Sequence, residues 1–161
     1  LGKAGIEDPL WRAGPEHATD LKAVLEAISG RFSGDLVLHG HSNGAVSLAN
    51  AAALRHPKVK GYVLSSASHH RRGTTLIYDV DYAMPVLVVQ HRNDTCVSSP
   101  TTAFDELQKR LKAPEKTTLW FEGGAEPFSG PCGPFAAHSF VGLEAQVIEQ
   151  TGAALRQMLK K

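Results

Sequence analysis

Asp35-Leu36-Val37-Leu38-His39-Gly40-His41-Ser42-Asn43-Gly44-Ala45 is the stretch that decides the fold of this chain. Residues 36–38 form a short apolar run that is typical of a buried strand. Residues 40–44 form a G-x-S-x-G pentapeptide, and small helix-forming residues follow over 45–54. The stretch therefore predicts a strand, a sharp turn that exposes the hydroxyl of Ser42, and a helix.

The pentapeptide resembles the nucleophile elbow of the α/β-hydrolase family, with Ser42 as the nucleophile. Such a turn needs a strained backbone at its serine. We expect glycine at positions 40 and 44 because Cβ atoms there would collide as the strand and helix approach each other. The alternative interpretation is an ordinary glycine-rich turn.

Composition limits the classes of protein to which the chain can belong. Its 161 residues, 42% of them apolar and 20% charged, are enough for a single domain over residues 1–161. A net charge of +1 argues against nucleic acid or an anionic membrane as the main partner. The apolar runs are also far shorter than the ~20 residues that a membrane helix needs.

Apolar runs and amphipathic segments alternate along the chain, which predicts an α/β fold with a parallel sheet of about four strands flanked by helices. With the resemblance, this is a partial α/β-hydrolase fold. Residues 1–15 and 66–82 are predicted to be loops. The predicted strands span residues 36–38, 59–65, 85–90 and 117–122, and the predicted helices span residues 16–29, 45–54, 100–112 and 141–161.

The resemblance also implies an acid and a base for Ser42, because a serine hydroxyl is a poor nucleophile until a histidine held by a carboxylate takes its proton. The family order is serine, acid, histidine. Asp94 follows the third strand, and His138 precedes the last helix. The alternatives are an Asx turn at Asp94 and a histidine without chemical function at His138. Asp79 and Asp81 are second choices for the acid, since they precede a strand.

Two neighbours of Ser42 receive roles from the same resemblance. The backbone N–H of Asn43 is the expected oxyanion donor, and His41 is expected to shape the pocket. His39 and His91 are expected to be packing or loop residues. No metal ion and no organic cofactor is implied.

The two cysteines lie close to the implied acid and base. Cys96 follows Asp94 by two residues, and Cys132 precedes His138 by six. If Ser42, Asp94 and His138 form a triad, these loops face each other, and a Cys96–Cys132 disulfide would join them. That bond implies an oxidising compartment, and therefore a secreted or periplasmic protein. The alternative is a pair of reduced cysteines in a cytosolic protein.

The resemblance covers residues 16–160, about the C-terminal two-thirds of a hydrolase domain. In the family, further strands precede the elbow strand, and one of them carries a second oxyanion donor. We therefore expect the sequence to be truncated or incomplete at its N-terminus. The elbow strand would then have an apolar edge, covered by the missing segment or by a second copy of the chain.

The resemblance predicts a serine hydrolase that cleaves a small-molecule carboxylic ester through an acyl-enzyme. The alternative from another class is a catalytically silent α/β-hydrolase-like module that serves binding or assembly.

Overall fold

A computed structural model describes residues 8–69 and 74–160, and four parallel strands in these residues form one sheet. The strand order is β1-β2-β3-β4. The strands are β1 (Leu36–His41), β2 (Val59–Ser65), β3 (Val86–His91) and β4 (Lys116–Phe121). The predicted α/β class and the parallel sheet of about four strands are confirmed.

The register of the sheet aligns the carboxyl ends of the strands. His41 at the end of β1 pairs with Ser65 at the end of β2, and Ser65 pairs with Val89 of β3. His91 at the end of β3 pairs with Phe121 at the end of β4. The segments that follow the strands therefore meet at one edge of the sheet, where open α/β sheets bind their ligands.

Helices cover both faces of the sheet, which explains why its inner strands, β2 and β3, are mainly apolar. One apolar cluster packs α2 to α5 against side chains such as Tyr62 and Leu64, and a second packs α6 against Val63 and Leu87. No helix in the described part of the chain is long and apolar enough to cross a membrane. The helices are α1 (Pro9–Arg12), α2 (Pro15–Arg31), α3 (Gly44–Ala53), α4 (Leu76–Asp79), α5 (Phe104–Arg110) and α6 (Glu144–Met158).

The loop predictions for residues 1–15 and 66–82 are wrong in part. The first segment contains α1, where the Asp8 carboxylate accepts a hydrogen bond from the Leu10 backbone N–H at 2.9 Å and caps the helix. The second contains α4. Each helix is a single turn, which is too short to show a helical period in the sequence. Residues 1–7 and 70–73 lie outside the described residues.

The last helix begins three residues later than predicted. Phe140 and Gly142 have φ angles of 59° and 76°, so a right-handed helix cannot pass through them. A Cβ at Gly142 would also lie 2.5 Å from the backbone nitrogen of Ala125. The chain therefore makes a glycine turn against the preceding loop, and α6 starts only at Glu144.

Candidate active site

Ser42 occupies the sharp turn between β1 and α3. Its φ angle is 52°, a conformation that non-glycine residues rarely adopt, and its N–H donates to the Ser65 carbonyl at 3.0 Å. A Cβ at Gly40 would lie 2.6 Å from the Gly44 carbonyl oxygen, so the predicted need for glycine at position 40 is confirmed. The same prediction for Gly44 is wrong. Apart from its chain neighbours and its own helix backbone, a Cβ there would meet no described atom within 4 Å, so the strand does not exclude it.

The side chains of Ser42, His138 and Asp94 form a chain of hydrogen bonds. The Ser42 hydroxyl lies 2.9 Å from Nε2 of His138, and Nδ1 of His138 lies 2.9 Å from Oδ2 of Asp94. Only 1% of His138 and 3% of Asp94 is exposed. The structure thus brings together the three residues that the sequence singled out as nucleophile, base and acid.

Backbone and side-chain contacts hold His138 in place. It lies in a short 3₁₀ turn, Ala137–Ser139, after the long loop that follows β4. Its carbonyl oxygen accepts a hydrogen bond from the buried Ser66 hydroxyl at 2.8 Å. The segment that follows β2 therefore anchors the backbone of the histidine.

The two carboxylate oxygens of Asp94 have separate partners. Oδ1 accepts the Cys96 backbone N–H at 2.9 Å, which is an Asx turn, and Oδ2 faces His138. The Asx turn that was an alternative to the acid role is thus present together with the histidine contact. Asp79 and Asp81 are both exposed, and neither lies in this cluster.

The Cys96–Cys132 disulfide is present, as the resemblance implied. Its Cα atoms are 4.7 Å apart, and it joins segments separated by 36 residues. Among the described residues, Asp94, Cys96 and His138 are the one group whose potential metal-ligand atoms lie within 4.8 Å of one another. Because the Cys96 sulfur is in the disulfide, it offers no thiolate to a metal ion.

His41 and His39 share the hydroxyl of Ser65. His39 Nε2 lies 2.7 Å from Oγ of Ser65, and His41 Nδ1 lies 3.1 Å from it. The His41 ring centroid is 5.1 Å from that of His138. The pKa of His41 is lowered to about 4. Burial is the largest cause, and the neighbouring His138 and His39 contribute to the same shift. His41 is therefore neutral near pH 7, next to His138.

His91 has a structural position at the end of β3. It is buried, its Nε2 lies 3.1 Å from the Gly123 carbonyl, and its Nδ1 accepts the Asn93 N–H at 3.0 Å. It therefore links the loops that follow β3 and β4.

A mainly apolar cleft lies between the sheet and α6, beside the hydrogen-bonded chain. Its volume is about 470 Å³. His41, the residue expected to shape the pocket, lies in its wall together with Phe140, Val147 and Ile148. Among the described residues, β1 pairs only with β2, so the cleft continues to a sheet edge without a neighbouring strand.

Asn43 stands directly after Ser42 as the N-cap of α3. The N–H groups in the first turn of a helix have no partner within it, and the helix dipole favours negative charge there. The predicted oxyanion donor therefore lies at the N-terminus of α3, the end of the helix that favours an anion. In the described part of the chain, no acceptor is bonded to this N–H.

Comparison with solved structures reveals the same architecture in enzymes. Est1E from Butyrivibrio proteoclasticus aligns over 89% of this chain with 18% identity and a TM-score of 0.63. A structure of the metagenome-derived lipolytic enzymes LipS and LipT aligns over 94% with 14% identity and a TM-score of 0.62. The chain has an α/β-hydrolase fold. An alpha-beta serine hydrolase homologue from Coxiella burnetii aligns over 88% with 22% identity and a TM-score of 0.58.

The chain spans only part of the length of each of these solved structures. The chain spans 58% of the Coxiella protein, 70% of Est1E and 78% of the lipolytic enzyme. It also spans 65% of a monoacylglycerol lipase from Paleococcus ferrophilus. No protein-family model and no curated protein matches the sequence.

Proposed function

We propose that this protein is a serine hydrolase that cleaves carboxylic esters through an acyl-enzyme on Ser42. The observation that carries the proposal is the chain from Ser42 Oγ through His138 to Asp94, with both hydrogen bonds at 2.9 Å. A nucleophile, a base and an acid that orients the base are the parts that acyl transfer requires.

In the proposed reaction, Ser42 Oγ attacks the ester carbonyl carbon while its proton passes to His138 Nε2. The tetrahedral intermediate then collapses, the C–O bond to the alcohol breaks, and His138 returns the proton to the leaving oxygen. Water repeats the sequence on the acyl-enzyme, releases the acid and restores Ser42. Asp94 keeps the Nδ1 proton facing it and stabilises the imidazolium that forms in each half-reaction.

The backbone N–H of Asn43 is the donor we assign to the oxyanion. Its place at the N-terminus of α3 supports this role, because the end of a helix favours the negative charge that develops on the carbonyl oxygen. A donor fixed in the backbone needs no reorganisation when that charge appears.

The preference for an ester comes from the structural neighbours. LipS and LipT are described as lipolytic, and the proposal extends ester cleavage from them to this chain. A small-molecule ester fits a cleft of about 470 Å³ that is mostly apolar and contains His41. The disulfide supports secretion or a periplasmic location, since such bonds persist in oxidising compartments.

The edge of β1 that no described strand covers is part of the same proposal. We infer that a further segment of the protein or a second copy covers it, because an open parallel edge with apolar neighbours pairs readily with other chains. Residues 1–161 would then form one domain with that covering segment.

Hydrolysis of a short-chain p-nitrophenyl ester tests the proposal. The wild-type protein should turn the ester over, and Ser42→Ala should lower kcat by at least about 10⁴-fold. Ser33→Ala is the matched control, since this serine is exposed and precedes β1, at the end of the strand opposite to Ser42. It should retain wild-type kcat. Absence of turnover by the folded wild type, or equal turnover by Ser42→Ala, would overturn the proposal.

A further inference from the structure

Two buried polar residues behind the Asp94–His138 pair have no part in the reaction described above. Gln90 interrupts the apolar sequence of β3 and is 1% exposed, and Ser99 follows Asp94 by five residues and is 0% exposed. Buried polar side chains are costly unless their hydrogen bonds repay the lost hydration. Their contacts therefore indicate what they do.

Ser99 closes a triangle of hydrogen bonds with the pair. Its Oγ lies 2.9 Å from Oδ2 of Asp94 and 3.0 Å from Nδ1 of His138, and those two atoms are themselves 2.9 Å apart. The hydroxyl has one proton, which it donates to the carboxylate. The Nδ1–H of His138 therefore points between Oδ2 of Asp94 and the Ser99 oxygen, and it donates a bifurcated hydrogen bond to both.

Gln90 supports the same triangle from the sheet. Its Nε2 lies 3.3 Å from Oδ2 of Asp94 and 3.4 Å from the carbonyl oxygen of Ser99. Its own Oε1 is buried and has no partner among the described residues. A buried carbonyl oxygen without a partner destabilises the fold, so an apolar side chain would be more stable at this position. The hydrogen bonds of Nε2 therefore explain why the residue is a glutamine.

We propose that Ser99 is a positioning residue that fixes the carboxylate of Asp94 and the Nδ1–H of His138 relative to each other, with Gln90 holding Asp94 and Ser99 in place. The inference rests on the proposed function, since the orientation matters only if His138 moves protons. Without Ser99, the carboxylate loses a donor, the imidazole loses its second acceptor, and both side chains gain freedom to rotate.

Kinetics of Ser99→Ala test the role in turnover. We expect kcat for a p-nitrophenyl ester to fall about 10-fold, because the lost hydrogen bond involves a charged group, while KM stays within about twofold. Ser68→Ala is the matched control. Ser68 is also 0% exposed, but its hydroxyl has no partner among the described residues, so both constants should stay at wild-type values.

Gln90→Met separates positioning from stability. Methionine fills similar space and removes the unsatisfied oxygen, so the urea midpoint should be equal or higher while kcat falls. If the folded Ser99→Ala or Gln90→Met protein has wild-type kcat, the inference is overturned.

A spectroscopic measurement distinguishes failure of the inference about Ser99 from failure of the proposed hydrolase function. In protein labelled with ¹⁵N-histidine, the Nδ1–H of His138 should give a downfield proton resonance that is absent in His138→Gln. Ser99→Ala should move it by more than its linewidth, and Ser68→Ala should not. An unmoved resonance overturns the inference about Ser99. A shifted resonance in a protein that hydrolyses no ester supports the triangle and overturns the proposed function instead.

Discussion

Two regions lie next to Ser42, and they differ in how far their side chains and strand edges are buried and hydrogen-bonded by the described residues. The first, here called the acid–base side, consists of Asp94, Ser99, His138 and the Cys96–Cys132 disulfide. Asp94, Ser99 and His138 are almost fully buried and hydrogen-bonded to one another. The second, the β1 side, consists of β1 and the cleft above it, where His39 is exposed and no described strand covers the edge.

The difference shows which parts of the site the described residues fix. The acid–base side is built from loops at the carboxyl ends of adjacent strands, joined by a disulfide, so its geometry is fixed within this chain. The β1 side ends in an apolar cleft beside a strand edge that has no partner strand within residues 8–69 and 74–160. Proton transfer should therefore depend on the acid–base side, whereas substrate choice should depend on what lies against β1.

Asp94→Asn should have the largest effect, because it breaks the acid–base side directly. An amide in place of the carboxylate presents a donor to His138 or favours the wrong tautomer, so kcat should fall about 10⁴-fold. Asp81→Asn is the control, since Asp81 is exposed and its carboxylate makes one long ion pair among the described residues, with Arg55 at 4.0 Å. Ester turnover checks both variants. More than a tenth of wild-type kcat in folded Asp94→Asn would contradict the assignment of the acid.

Loss of the disulfide should have the next largest effect. For a loop of 36 residues, the chain-entropy relation gives about 3–4 kcal/mol of stabilisation. The double variant Cys96→Ser/Cys132→Ser should therefore lose about that free energy of unfolding in urea. Wild-type protein with and without a reducing agent gives the same comparison without a mutation. A loss below about 1 kcal/mol would show that the acid–base side does not depend on this bond.

Gly40→Ala and Gly44→Ala should have opposite effects at the two ends of the turn. A Cβ at Gly40 would overlap the Gly44 backbone at 2.6 Å, so this variant should lose about 2–3 kcal/mol. The site of Gly44 is open, and alanine in a helical first turn should be neutral or up to about 1 kcal/mol stabilising. Urea unfolding measures both. Equal losses would contradict the described turn.

His41 links the two regions, and its titration should have the smallest effect. Its folded pKa of about 4 lies below the usual 6.5, so its contribution to stability is complete above pH 6.5 and is lost as pH falls towards 4. Because the side chain is only partly buried, we expect about 1–2 kcal/mol. In His41→Gln, the free energy of unfolding should depend less steeply on pH over that window. Parallel curves for the two proteins would contradict this.

The fold could be predicted because both faces of the sheet are covered. Strands buried on both sides are rich in apolar residues, so each of β1 to β4 contains an apolar run that predicted it, with boundaries within three residues. Single-turn helices such as α1 and α4 carry too little periodic signal. The start of α6 depended on positive φ angles at Phe140 and Gly142, and the contact of Gly142 with Ala125 is tertiary.

The site could be predicted only where motif and strand order specify it. Ser42, Asp94 and His138 follow a known order along the chain, and their loops meet because parallel strands end at one edge. Ser99 and Ser65 were missed, because a serine in a loop or at the end of a strand has no sequence signal for its partner. Gln90 within an apolar strand was the one detectable sign.

The most direct test of the account is labelling with a fluorophosphonate, followed by peptide mapping. We predict one covalent adduct, on Ser42, that is lost in Ser42→Ala, reduced by at least about 10³-fold in rate in His138→Ala, and unchanged in Ser33→Ala. Labelling needs an activated serine but no particular ester, so it does not depend on the β1 side. A folded wild-type protein that remains unlabelled at Ser42 would contradict the account and identify the chain as a catalytically silent module.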